Sequence, residues 1–272
     1  MPATRIITAV CLLAIFIPAL FLAPAQLWAF GMLLVALLAF DEWNELLGWR
    51  GKKAFLLAFL ATVAGLCTIY TMETRGFHWF FFQSIPVFFI TSLFWLLMAP
   101  VCLANRYLPQ NRPLMSLLGF VLIGALWLAI VCAQSADPWL LLALLGTVWI
   151  ADTCAYVAGK NFGQHKLAPA ISPGKTWEGV AGALVGVTVF AIILKHAFAV
   201  DSWLLFPALW LLTAISVVGD LFESLLKRRA DVKDSSNLLP GHGGVLDRLD
   251  ALIPAIPFAL TLIYIYNLLQ VN

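Results

Sequence analysis

Between Ser224 and Asp250 the chain sets nine charged side chains in 27 positions, although charged residues make up only 11% of the whole. Lys227, Arg228, Arg229, Lys233 and Arg248 supply the cations; Asp231, Asp234, Asp247 and Asp250 supply the carboxylates. Pro240-Gly241-His242-Gly243-Gly244 lies among them, and apolar runs flank the segment, Trp203–Val218 before and Ala251–Leu269 after. Cations beside oxygen ligands at the edge of a membrane suit one task above others, the holding of phosphates together with a divalent metal.

Spacing sharpens this. Asp220, Glu223 or Ser224, and Lys227 recur at three, four and seven residues, so they share one face of a helix, and Asp247 and Asp250, three apart, share another. An ionised carboxylate within a span costs roughly 2.5–3.5 kcal/mol on insertion scales, so several together need a counter-charge. A Mg²⁺ held by Asp220, Asp247 and Asp250, with Ser224 as a further oxygen ligand and nucleotide phosphates completing its shell, would supply it. The plainer alternative pairs Asp220 with Lys227 or Arg228 and leaves Asp247 and Asp250 to cap a helix beside Arg248. The His242-Gly243-Gly244 stretch is poor in side chains, which lets backbone N–H groups approach a phosphate; by itself it is equally a turn, and His242 a donor or a loop histidine.

A second polar stretch reads Ser172-Pro173-Gly174-Lys175-Thr176-Trp177-Glu178-Gly179. Gly-Lys-Thr imitates a nucleotide-binding P-loop, but that motif requires glycine at 169 and this chain has Pro169. A helix start remains, with Thr176 as N-cap, Glu178 as a first-turn acid and Lys175 as an anion-attracting cation. Asp152 falls inside an apolar run, about four to six residues from its end, and an intramembrane acid is a functional suspect by default. It orients a cation or nucleotide, or pairs with Lys160 or Lys175. In the amino-terminal half, Asp41-Glu42-Trp43-Asn44-Glu45 is expected to be only the interfacial end of a span. The five cysteines lie in apolar stretches without C-x-x-C spacing and are expected to be small core residues.

These residues must be positioned by membrane helices. The hydrophobic share is 62%, far above the ~45–50% of globular chains. With about 20 apolar residues needed per crossing, the sequence predicts an all-α polytopic bundle of about nine spans: roughly 6–23, 27–47, 54–71, 80–99, 115–133, 139–158, 177–198, 203–226 and 251–271. Residues 1–138 would form five amino-terminal spans. Residues 139–272 would form four catalytic spans, with polar loops at 159–176 and 227–250. The start, Arg5 and an apolar run before Ala23-Pro24-Ala25, imitates a cleavable signal but is expected to remain as the first span. An N-in, C-out arrangement puts 14 of the 16 basic residues on the inner side, leaving Arg75 and Lys195 outside. Both polar loops then face the cytoplasm. A net charge of +2 is too small to imply a nucleic-acid partner.

The 224–250 segment also resembles a known signature. Ser-x-Leu-Lys-Arg, then Lys233-Asp234, then Leu-Pro-x-His-Gly-Gly-x-x-Asp-Arg-x-Asp matches the pattern of phosphatidate cytidylyltransferases (CDP-diacylglycerol synthases). One departure follows it, Ala251 where that family would have serine, which removes one hydroxyl. Ser172-Pro-x-Lys-Thr-Trp-Glu-Gly and Asp152-x-x-Ala-Tyr are similar to further elements of the same family; resemblance is strong over 150–255 and general over 1–140. It implies an enzyme joining CTP to phosphatidic acid with release of pyrophosphate, dependent on Mg²⁺ and with room for a second, monovalent cation. It also implies a homodimer in a bacterial inner membrane with its active site toward the cytoplasm. On that resemblance the catalytic group comprises Asp220, Asp247, Asp250, Lys227, Arg228, Arg248, Lys233 and Asp234. Substrate contacts fall to Lys175, Ser172, Thr176, His242, Gly243, Gly244 and Asp152. Two other readings stay open: a CTP-dependent polyprenol or lipid kinase, and an ion-coupled transporter, although a transporter would spread its charges near the midplane. A CDP-alcohol phosphotransferase fits less well, because its Asp-Gly-x-x-Ala-Arg element is missing around Asp247 and Asp250.

Overall fold

The computed structural model describes residues 2–238 and 243–271. Helix α1 spans Pro2–Leu22, and Pro24, with φ fixed at −56°, stands at the N-cap of α2 (Ala25–Leu46). Two positive-φ glycines, Gly51 and Gly76, bound α3 (Lys52–Arg75), where a side chain would be strained. The next rod is continuous over Phe77–Asn105 but not uniform: α4 (Phe77–Leu93) passes through a π-turn at Phe94–Met98 into α5 (Ala99–Asn105). Pro100 cannot donate to the preceding turn, and the wider π register absorbs the missing hydrogen bond. Asn111 caps α6 (Arg112–Ala136) by accepting from Leu114 N at 3.0 Å, and Asp137 caps α7 (Pro138–Phe162) by accepting from Trp139 N at 2.9 Å.

Two short antiparallel strands follow, β1 (Lys166–Ala168) and β2 (Ser172–Thr176), with Lys166 opposite Thr176 and Ala168 opposite Ser172. Then come α8 (Trp177–Ala197), α9 (Leu205–Arg229), the single turn α10 (Leu246–Leu249) and α11 (Leu252–Val271). Among the described residues, eight helices are long and apolar enough to cross a membrane. The expected first span is also helical, as α1, of which Leu13–Leu22 is an apolar stretch. The chain is thus an integral membrane protein of the all-α polytopic class. Its outward faces carry Phe55, Phe59, Val185 and Ile193, all exposed, as a lipid-facing surface requires.

The structure corrects the expected bounds at the polar end of the bundle. The 159–176 stretch is not a plain loop: α7 runs on to Phe162 and the remainder folds as the hairpin. Asp152 is therefore ten residues from the helix end, about 15 Å of rise, rather than four to six residues. Likewise α9 continues through Lys227, Arg228 and Arg229, and Asp247 and Arg248 sit in α10, so the 227–250 segment is helical near both of its ends.

Packing explains why these elements meet so closely. A Cβ on Gly182 would fall 2.3 Å from Ala158 Cβ, and one on Gly186 would fall 2.3 Å from Cys154 Sγ, so α7 and α8 lie nearly backbone to backbone. A Cβ on Gly219 of α9 would lie 2.5 Å from the Asp250 carbonyl and from Pro254 Cγ, which brings α9 against the start of α11. One turn along α9, Phe222 packs edge-on to Phe94 and Trp95, centroids 5.6 and 5.4 Å away, and lies parallel to Trp43 of α2 at 6.4 Å.

Candidate active site

Two lysines organise the polar end of the bundle. Lys175, on β2, forms an ion pair with Asp220 on α9; both side chains are 25% exposed. The pair lines a hollow of about 540 Å³ together with Asp152 and Tyr156 of α7, Lys160, Lys166, Ser172, Gly174, Thr176 and Val217. Burial by itself would lower the Lys175 pKa. The charges of Asp220, Asp152 and Asp250 more than offset it and hold the ammonium above the usual lysine value. Asp152 of α7, Asp220 of α9 and Asp250, between α10 and α11, lie near enough to repel one another, while the Arg248 charge acts favourably on Asp152.

The second lysine is more enclosed. Lys227 Nζ lies 2.5 Å from Glu223 Oε2, one turn back on α9, and donates to Asp247 Oδ1 at 2.6 Å. The other oxygen of Asp247 accepts from Ser235 N at 3.0 Å, Ser235 Oγ at 3.0 Å and Gly244 N at 2.8 Å. Asp247 thus draws in both ends of the strap that joins α9 to α10.

The plainer pairings drawn from sequence do not occur as such. Asp220 pairs with Lys175 from the hairpin, not with Lys227 or Arg228; Ser224 Oγ reaches Asp220 Oδ1 at 3.5 Å. Arg228 donates through Nε to the Ile171 carbonyl at 3.3 Å and through an Nη to Val232 at 3.5 Å, tying the hairpin turn to the strap. Arg229 holds the carbonyls of Leu108 and Pro109. Asp250 accepts from Ala251 N at 2.7 Å, at the kink between α10 and α11. Thr176 is buried and caps α8 as expected, accepting from Gly179 N at 3.1 Å. Ser172 and Lys175 face the hollow with it. Lys233 and Asp234 are exposed on the strap, outside both lysine clusters, and the expected contact His242 lies outside the described residues. Gly243, at φ +80°, and Gly244 flank the point where the strap turns back toward Asp247, and a Cβ on Gly243 would come 2.7 Å from Asp247 Oδ2.

Sequence reasoning missed two groups. His165 Nδ1 lies 2.6 Å from Glu178 Oε1, closing the hairpin onto the first turn of α8, so Glu178 does more than face a helix dipole. The other is Glu42. Expected at an interfacial helix end, it is instead 5% exposed and receives hydrogen bonds from Ser235, Ser236, Val245 and Leu246. No local signal marks it, because every one of those partners is at least 193 residues away.

The donor set suits a hard cation. Among the described residues no three Asp, Glu, His or Cys side chains already converge as a closed metal cage. Mg²⁺ needs none, since it commonly takes one or two carboxylates and completes its shell with substrate phosphates and water. Asp220 and Asp250, mutually repelling and backed by Ser224, fit that use. Asp247, the remaining member of the expected ligand set, has both oxygens engaged by Lys227 and the strap.

Comparison with known proteins gives a consistent picture. The profile of the cytidylyltransferase family matches residues 3–266. A phosphatidate cytidylyltransferase of Haemophilus influenzae is 36% identical over 278 aligned residues, covering 93% of this chain and 96% of that protein. One from Pseudomonas aeruginosa is 35% identical over 275 residues, covering 96% of each. One from Bacillus subtilis is 44% identical over a shorter stretch of 119 residues, 42% of this chain and 43% of that protein.

Proposed function

The chain belongs to the cytidylyltransferase family, and on that premise we propose that it transfers the cytidylyl group of CTP to phosphatidic acid, yielding CDP-diacylglycerol and pyrophosphate. The observation that carries this reading is the open hollow in which Lys175 and Asp220 meet beside Asp152, Lys160 and Lys166. Such a site offers cations to a polyphosphate and carboxylates to its metal, at the end of a bundle whose outside contacts lipid.

A phosphate oxygen of the lipid attacks the α-phosphorus of CTP, and the bond to the bridging oxygen of the β-phosphate breaks as pyrophosphate leaves in line. The phosphomonoester is already a nucleophile, so no protein nucleophile is required. Catalysis of this kind rests on positioning and charge neutralisation. Lys175 neutralises the polyphosphate from the hairpin side, while Arg248 adds positive charge from α10. Lys227 orients Asp247, and Asp247 in turn holds the strap between α9 and α10. Asp220 and Asp250, with Ser224, would hold Mg²⁺, which when bound draws charge from the phosphoryl oxygens. The decisive experiment is a pyrophosphate-release assay on the purified protein. Release from CTP is expected only with both phosphatidic acid and Mg²⁺; release without lipid, or none under any condition, would overturn the reading.

The same reading puts the site on the cytoplasmic face of a bacterial inner membrane, where CTP is available; the support is the crowding of basic residues onto the connections of one side. Thiol reagents applied from outside should label cysteines engineered near Arg75 and Asp201 but not at Ser236. Outside labelling at Ser236 would reverse the orientation.

A further inference from the structure

We infer that Glu42, an acid of α2 far from the signature segment, is the positioning residue for Asp247 and the strap around it, and through them for turnover. The inference rests on the transferase reading above. Glu42 Oε1 accepts from Ser236 Oγ at 2.6 Å and Val245 N at 2.9 Å; Oε2 accepts from Ser235 Oγ at 2.8 Å and Leu246 N at 2.7 Å. One buried carboxylate therefore binds the strap both where it leaves α9 and where it enters α10. Four donors on one carboxylate form a dense charge-assisted set, and the buried N–H groups of Val245 and Leu246 would lose this partner without it.

The link to Asp247 is direct. Ser235 Oγ lies between the two acids, 2.8 Å from Glu42 and 3.0 Å from Asp247 Oδ2. The backbone closes in as well: a Cβ on Gly244 would stand 2.4 Å from Glu42 Oε2, so the glycine permits the approach, and Gly244 N donates to Asp247. A relay thus runs from Glu42 through Ser235 to Asp247 and on to Lys227. Elsewhere on α2, Asn44 accepts from Ser116 Oγ on α6 at 2.6 Å and donates to the Phe40 carbonyl at 2.8 Å. That pair supplies the contrast a test needs.

The test uses full-length protein in lipid nanodiscs, with CTP and phosphatidic acid. Glu42→Gln keeps the volume but gives two of the four donors an amide instead of an oxygen, and kcat should fall about tenfold or more while KM for either substrate moves less than about threefold. Asp41→Asn, an exposed neighbour, and Ser116→Ala should keep wild-type turnover per folded molecule. If Glu42 acts through Asp247, adding Glu42→Gln to Asp247→Asn should cost less than about twofold more, because the two act as one unit. A lowered melting temperature with unchanged kcat, or a full tenfold further loss on the Asp247→Asn background, would overturn the inference. Should Glu42→Gln fail to fold, Ser235→Ala carries the same test, with a predicted loss in kcat that is non-additive with Asp247→Asn. A readout independent of turnover separates this inference from the transferase reading. With native cysteines replaced, Ser236→Cys should react with a soluble thiol reagent several-fold faster in the Glu42→Gln protein. Equal reactivity would sink the positioning role even if the wild type is active; faster reactivity with no pyrophosphate release would sink the transferase reading alone.

Discussion

The two lysine-centred clusters differ in what they leave open. Lys175 and Asp220 are each a quarter exposed and face a hollow, whereas the Lys227, Glu223 and Asp247 side chains are 13%, 3% and 6% exposed and hold one another. An ion pair on the wall of a hollow can exchange its partner for a phosphate at little cost. An enclosed pair cannot, since separating it strands a charge where water does not reach. On the transferase reading the first cluster serves the ligand and the second holds the frame, although lysines paired with acids look alike as sequence.

The largest effect should come from the frame. Lys227→Ala leaves Glu223 and Asp247 buried without their cation and is expected to cost about 3–5 kcal/mol of stability, measured as a fall in melting temperature and in folded yield. A well-folded Lys227→Ala protein with only a kinetic defect would erase the distinction between the clusters. Next come the carboxylates proposed to hold the metal. Asp220→Asn and Asp250→Asn preserve size, so the proteins should fold while turnover drops at least about a hundredfold, roughly 2.7 kcal/mol of transition-state stabilisation. Near-normal turnover in Asp250→Asn would remove it from the metal site. Lys175→Ala should be milder: a folded protein, a higher KM for CTP, and kcat reduced about tenfold through lost charge stabilisation. The smallest effect belongs to Thr176→Ala, which removes the α8 cap and should cost about 0.5–2 kcal/mol of stability with kcat nearly unchanged. If Lys175→Ala lowered stability and Thr176→Ala lowered turnover, the two residues would have exchanged roles.

Local features of this kind are legible in the sequence itself. Membrane spans announce themselves through apolar length, Thr176 through its place before a helix, and the 224–250 segment through its charge density and its resemblance to a family signature. What escapes such a reading depends on distance or on extension past a local signal. The β1–β2 hairpin is too short for an alternating pattern, and Pro169, Pro173 and Gly174 look like turn residues alone. The sequence puts the end of α7 too early because Gly159, Lys160 and Asn161 interrupt the apolar run, yet the backbone stays helical there, where Gly159 lies against Thr176. Glu42 shows no anomaly in its own neighbourhood. Its burial is created by Ser235, Ser236 and the start of α10, and only the assembled fold brings them to it.

That separation has a consequence in time. Ribosomes add roughly 5–20 residues per second, so about 10–40 s pass between the synthesis of Glu42 and that of Ser235, 193 residues later. Throughout that interval the nascent amino-terminal helices hold a carboxylate with none of its eventual donors. The polar end of the molecule can close only after nearly the whole chain has been translated, and a translation product that stops before the strap would carry an acid awaiting a partner that never arrives.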